Sequence, residues 1–333
     1  LHFDGQRYRV GPDSAGANPG PACYRRGGPL TVTDANAMVG KIQAEFFPPV
    51  FGPDGDQRLD TEMVNKKFGA LALEINKATG DKRTAVEVAD GFLMIAVDNM
   101  ANAIKQISTQ RGHDVTDYTL NCFGGAGGQH ACLVADALGI TNVFIHPFAG
   151  VLSAYGMGLA EHRVMRERAV ESILNDELVT KLADTIQDLQ QECETEMKRQ
   201  GVNPTNMHAV HRLHLRYEGT DSPLEVNFSD NTAMVADFEK AHHMQYGFIA
   251  PEKNHIVEQV TVEVIGGASE VEEQDVIVNG NVDQPHPLAE IETYMEGALV
   301  PTDVFDRKSL IPSQRVDGPA VIIEANSTTV IEP

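Results

Sequence analysis

Phe123-Gly124-Gly125-Ala126-Gly127-Gly128-Gln129-His130-Ala131 places four glycines within five positions. The run follows a short apolar stretch, Tyr118-Thr119-Leu120-Asn121-Cys122, and precedes a helix-like segment from Ala131 to Leu138. A strand, a glycine turn and a helix start, in that order, make a place where backbone can approach a nucleotide closely. The bare N–H groups of the helix start favour negative charge or a polar ring edge. The spacing is not the GxGxxG of a dinucleotide fold, and it is not a P-loop, because no Gly-Lys-Ser/Thr follows. The turn by itself admits two readings, nucleotide contact or a tight connection with no ligand.

The flanking sequence continues the alternation of strand and helix. Residues 84–109 predict a long helix, with Val86, Ala89, Leu93, Val97, Met100, Ile104 and Ile107 on one face and Gly112 as its C-cap. After the turn, Asn142-Val143-Phe144-Ile145-His146-Pro147 reads as a buried strand. The small residues of 150–160 suit close helix packing or a loop beside a ligand. Upstream, residues 10–24 are too rich in Gly and Pro for a helix or central strand. A loop of that length in a folded domain points to function. Thr31-Val32-Thr33 is a strand candidate, Asp34 an N-cap, and residues 48–60 a loop.

Downstream, a second helix spans 176–200, with Leu178, Leu182, Ile186, Leu189, Cys193 and Met197 inward. The period then changes to two. Residues 208–217 and 223–228 read as a hairpin joined by Glu218-Gly219-Thr220-Asp221. A short helix near 232–246 and a strand at 260–265 follow. Residues 267–290 read as an acidic linker. Short strands close the chain, ending with 320–323 and 328–331.

The chain has 333 residues, enough for about two domains. Forty-eight acidic against 26 basic residues give a net charge of −22, which opposes nucleic-acid and anionic-membrane partners. No apolar run approaches the ~20 residues of a membrane helix. Four scattered cysteines without a CxxC pair suit a reduced, cytoplasmic setting and give no zinc signature. Cys23 has no sequence-local base beside it. His208 and His214 share one face of a strand and His211 the other, so the three cannot share a zinc ion. His130 and His146 fall at the strand ends where open α/β sheets hold ligands. Asp34 and Asp13 are the carboxylates nearest the Gly/Pro-rich loop. Asp13 is a candidate to hold Mg²⁺ through water; helix capping is the plainer role for Asp34.

Several of these stretches resemble the hydantoinase A/5-oxoprolinase family. They are the runs 11–24 and 27–36, Arg111-Gly112-His113-Asp114, the glycine turn, 214–221, and Glu324-Ala325-Asn326-Ser327-Thr328. The ending Gly127-Gly128-Gln129-His130 is similar to the long, fused, ATP-hydrolysing 5-oxoprolinases. Many hydantoinase A relatives carry proline and leucine in place of Gly128 and Gln129.

The resemblance implies an α/β fold, a partial actin-like ATPase (ribonuclease H-like) lobe followed by an α+β region and a small β-rich region. The boundaries expected are 1–165, 166–275 and 276–333. Gly124, Gly125, Ala126, Gly127, Gly128, Gln129 and His130 would form the adenosine turn, with Asp34 and His146 as catalytic candidates. ATP and Mg²⁺ are the implied cofactors. The implied reaction is ATP-driven opening of 5-oxoproline to glutamate, as in glutathione metabolism: the carbonyl oxygen is phosphorylated, water attacks and phosphate leaves. A hydantoin is the alternative substrate, and a non-catalytic assembly module the alternative role. A B-type part, fused or separate, is the implied partner, in a homo-oligomer. The two DxGGT-type phosphate loops of the actin-like fold are missing, so the chain is expected to be a piece of a longer protein, the later portion of the A-type part.

Overall fold

The computed structural model describes residues 1–267 and 283–333. They form two compact units. The first comprises Leu1–Ser108, Asp114–Leu152 and residues 283–333; the second comprises Thr109–His113 and residues 153–267. The linker expected at 267–290 falls largely on 268–282, outside the described residues.

The first unit opens with an antiparallel ribbon, β1 (His2–Phe3) and β2 (Tyr8–Arg9). Tyr8 stacks on Phe92 at 4.6 Å and ties the ribbon to the core. The Thr31–Thr33 strand is not there: Thr31 is the N-cap of α1 (Val32–Met38). Its hydroxyl accepts from the Asp34 amide, and the Asp34 carboxylate accepts from the Thr31 amide. This reciprocal pair is a capping box, and it sets Asp34 at the third helical position instead of the cap.

Next comes α2 (Thr61–Thr79), which the sequence reading did not foresee. Asp60 caps its start, Gly80 ends it in a left-handed conformation, and Val64, Phe68, Leu71 and Ile75 are buried. α3 (Ala85–Gln110) matches the expected long helix. Its inner face starts among α1 and α2 through Val88, Ala89 and Phe92, then passes into a second cluster through Val97 and Ala101. Met100 and Ile107, expected inward, are exposed because the buried stripe rotates between those two clusters.

β3 (Leu120–Cys122) and β4 (Val143–Ile145) pair in parallel, and α4 (Ala131–Leu138) connects them. The strand expected to be buried is therefore short and half-covered. Leu120 and Val143 face α3 and α4, whereas Phe144 alternates to the other face and is 50% exposed. The small-residue stretch becomes a 3₁₀ turn and α5 (Leu152–Leu159).

The second unit is a four-stranded sheet with all pairs antiparallel, in the order β5 (His162–Ile173), β8 (His255–Gly266), β6 (Met207–Tyr217), β7 (Leu224–Asn227). α6 (Asp176–Arg199) buries the predicted Leu182, Ile186, Leu189, Cys193 and Met197. α7 (Asn231–Tyr246) adds Met234 and Phe238 to the same core. The β6–β7 hairpin stands as read.

Residues 283–333 return to the first unit as β9 (Ala289–Met295), β10 (Ala298–Asp306), β11 (Ala320–Ile323) and β12 (Thr328–Ile331). The sheet order is β12-β11-β10-β9, with β10 and β11 parallel. No helix among the described residues is long and apolar enough to cross a membrane.

Candidate functional site

The glycine turn leaves β3 at Cys122. Gly124 takes φ 94°, which only glycine adopts without strain, and its amide donates to Ala149 O at 2.8 Å. Gly127–Gln129 then form one 3₁₀ turn, and α4 starts at once. The other glycines answer a packing demand. A Cβ on Gly125 would lie 2.9 Å from Asn326 O, and one on Gly128 would lie 2.7 Å from Thr328 O and 2.8 Å from Thr329 Oγ1. The Thr328 amide donates to Gly125 O at 3.3 Å. The turn is thus pressed backbone to backbone against the β11–β12 connection.

One side of the turn stays open. Gly125, Ala126 and Gln129 line a cavity of about 330 Å³. Its other walls come from 41–51 (Lys41, Gln43, Phe46, Phe47 and Phe51), from Tyr24, and from the 321–328 connection (Glu324, Asn326 and Ser327). The Tyr24 and Phe51 rings lie 4.6 Å apart at 34°. A mostly apolar pocket of this size with a few converging polar side chains is the form ligand sites take.

Behind the turn runs a buried polar network. Asn36 Nδ2 donates to Gln129 Oε1 at 2.9 Å and meets His130 Nε2 at 3.2 Å, so Nε2 is the accepting nitrogen. Burial first, then the Lys41 charge, holds the His130 pKa down at about 4, and the ring is neutral. Lys41, 3% exposed, pairs with Glu332 at 2.6 Å.

The remaining candidates lie elsewhere. Asp34 is fully buried, and its carboxylate accepts from the Ala22, Cys23 and Thr31 amides and the Thr31 hydroxyl. It pins the end of the Gly/Pro-rich loop to α1. Cys23 is buried beside it, and burial, then the Asp34 charge, pushes its thiol far up, so no thiolate forms there. His146 accepts from the Phe148 amide through Nδ1 at 3.0 Å; neither it nor His130 lines the cavity. Asp13 is exposed on the Gly/Pro-rich loop. His211 bonds Gln190 and His214 bonds Thr261 in the second unit. Among the described residues no group of three His, Cys, Asp or Glu could hold a metal ion. Sequence reasoning missed Lys41, Asn36 and the three phenylalanines. Their only local signal was the cluster Phe46-Phe47-Pro48, an apolar pair inside a polar connection.

Residues 1–166 match the sequence description of Hydantoinase/oxoprolinase, and residues 171–333 match the Hydantoinase/oxoprolinase C-terminal domain. The chain belongs to the hydantoinase/oxoprolinase family. Among relatives in this family, the 5-oxoprolinase of Dictyostelium discoideum is 34% identical over 100% of the chain and 27% of its own length. Caprolactamase subunit alpha of Pseudomonas jessenii is 27% identical over 98% of the chain and 47% of its own length. The crystal structure of the ATP-dependent caprolactamase from Pseudomonas jessenii superposes with a TM-score of 0.82 at 25% identity, covering 100% of the chain and 48% of that structure. The chain therefore spans about a quarter of the 5-oxoprolinase and about half of the caprolactamase subunit, and its mixed α/β fold is shared with the latter.

Proposed function

We propose that this chain is the nucleotide-contacting portion of an ATP-dependent cyclic amide hydrolase, with 5-oxoproline as its substrate. The reading is supported first by the cavity itself. Gly125 and Ala126 present backbone without bulk to an aromatic-lined space, on the side of the turn not used for packing. It is supported second by relatives named 5-oxoprolinase and ATP-dependent caprolactamase. The first unit is then the later part of an actin-like lobe, and Gly124, Gly125, Ala126, Gly127, Gly128, Gln129 and His130 are its adenosine turn.

The lactam is resonance-stabilised, and ATP supplies the phosphoryl group that makes its carbonyl a competent electrophile. The balanced reaction consumes one lactam, one ATP and two waters, and yields glutamate, ADP and phosphate. The role of this chain is to bind and orient. Asn36 holds Gln129 and His130, Asp34 holds the Gly/Pro-rich loop, and the aromatic wall excludes water from one side of the pocket. The described residues do not make a magnesium site: the four donors on Asp34 occupy its lone pairs, and Asp13 stands exposed. The phosphate-side chemistry is assigned to other parts of the longer protein, including a B-type part; the caprolactamase relative is itself named as a subunit.

The test is turnover by the full-length protein with ATP, Mg²⁺ and 5-oxoproline. Glutamate and ADP should appear in a one-to-one ratio. ADP release that ignores 5-oxoproline but responds to a hydantoin or to caprolactam would move the substrate assignment; no lactam-dependent release would refute it.

A further inference from the structure

We propose that Gln129 is the residue that reads the base in this cavity, its side-chain N–H groups donating to a ring nitrogen of the purine. The inference rests on the nucleotide reading above and deepens it.

Gln129 closes the 3₁₀ turn that follows the glycines, and its own amide donates to Ala126 O at 3.1 Å. Gly128 before it is pressed on Thr328 and Thr329, so the backbone at Gln129 has little room to shift. The side chain is held as well, because Oε1 accepts from Asn36 Nδ2 at 2.9 Å. A carboxamide carries its acceptor on one arm and its two N–H donors on the other. With the oxygen turned to Asn36, the donors are left for another partner. Among the described residues Nε2 has none. Gln129 is 4% exposed, a depth at which an unmet donor is costly. The atoms sealed without a partner behind the turn are Asn36 Oδ1 and His130 Nδ1, and Gln129 Nε2 is not one of them. Nε2 therefore reaches open space, and the open space that Gln129 lines is this cavity.

The rest of the lining selects the acceptor. It contains one carboxylate, Glu324. Ser327 donates to its Oε2 at 2.7 Å, and Arg307, outside the lining, stands 3.8 Å from its Oε1. Lys41 spends its charge on Glu332, also outside the lining. Both charged residues of the wall are thus met. What remains to hold a ligand is neutral: the Gln129 side chain and the N–H groups of Gly125 and Ala126, which have no acceptor among the described residues. The Tyr24–Phe51 pair, with Phe46 and Phe47, gives the lining its apolar part, suited to the face of an aromatic ring. A purine satisfies both, with its face on the aromatic side chains and a ring nitrogen on Gln129. A lactam carbonyl offers the same acceptor without the aromatic face, and the experiment separates the two.

The experiment measures equilibrium binding to the full-length protein of ATP, of its 1-deaza, 3-deaza and 7-deaza adenine analogues, and of 5-oxoproline. Each analogue lacks one ring acceptor. One of the three should bind at least about fivefold more weakly than ATP, the loss expected when a nearly buried donor is left unmet. Gln129→Met removes the donors. Gln129→Glu, assayed at about pH 8 where a carboxyl is ionised, keeps an oxygen for Asn36 and turns the donor arm into an acceptor. Both variants are shown to be folded by their unfolding transitions. In Gln129→Met the discrimination should fall to within about twofold. In Gln129→Glu the same analogue should bind at least as tightly as ATP, a reversal that a merely structural role would not produce. The inference is overturned if the wild type binds all three analogues like ATP, or if either folded variant keeps the discrimination. It is also overturned if 5-oxoproline binding, and not the analogue series, responds to Gln129→Met, because the donor then belongs to the lactam. No ATP binding by the wild type overturns the nucleotide reading with it.

Discussion

Gly128→Ala tests how the turn is built. The backbone at Gly128 is not left-handed, so the added methyl carries no conformational penalty of its own. It would sit 2.7 Å from Thr328 O, 2.8 Å from Thr329 Oγ1 and 3.0 Å from Thr329 Cα. Two of these are backbone atoms of a paired strand, which cannot swing aside as a side chain can. The turn and β12 must separate by several tenths of an ångström, and overpacking of that kind costs about 1–3 kcal/mol. In a folded unit of roughly 150–250 residues this lowers Tm by about 2–12 °C. Gly69→Ala supplies the contrast. Gly69 lies inside α2 with nothing within 4 Å of its Cβ position, so the same chemical change should raise stability by about 0.5–1 kcal/mol. Urea denaturation monitored by circular dichroism measures both. The packing account is refuted if Gly128→Ala is as stable as wild type while Gly69→Ala behaves as stated.

Asp34→Ala strands three backbone amides and a hydroxyl in the buried interior, so it should cost about 3 kcal/mol or more and open the Gly/Pro-rich loop to limited proteolysis; an unchanged digestion pattern would contradict that role. Lys41→Met alone leaves the partly buried Glu332 without its partner and should cost about 1–3 kcal/mol, most of it recovered by adding Glu332→Gln, and thermal melts of the two variants decide the point. His130 carries a folded pKa of about 4 against its ordinary 6.5, so the unfolded chain binds the extra proton between those values. Stability should therefore fall as pH falls through 6.5 towards 4, by up to ~3 kcal/mol. His130→Gln should flatten that slope, and parallel stability–pH curves would remove His130 as the cause.

What was legible in the chain was whatever repeats along it. α6 shows its inward residues at spacings of three and four, and the β6–β7 hairpin shows the period change and a glycine turn, so both could be read from the residues alone. α2 carried the same signal in Val64, Phe68, Leu71 and Ile75, but it follows a Gly/Pro-rich connection and includes Gly69, which masks it. β5 had no such signal. His162-Arg163-Val164-Met165-Arg166-Glu167-Arg168 is mostly charged and buries only Val164, and it is a strand because β8 pairs with it. Thr31–Thr33 went the other way: β-branched residues suggested a strand, and one side-chain exchange with Asp34 made a helix start. The site was half legible. The glycine turn announced itself, and the stretch 324–328 stood out by resemblance. The 41–51 wall could not be foreseen, because its meeting with residues 125–129 and 321–328 is set by the tertiary fold and by no local pattern.

The central claim is that a nucleotide base enters the cavity beside Gly125 and Ala126. Photolabelling of the full-length protein with 2-azido-ATP, followed by peptide mapping, tests it most directly. The label should fall within residues 41–51, 124–130 or 321–328 and disappear when excess ATP competes. Competable label confined to peptides outside these three segments would contradict the account.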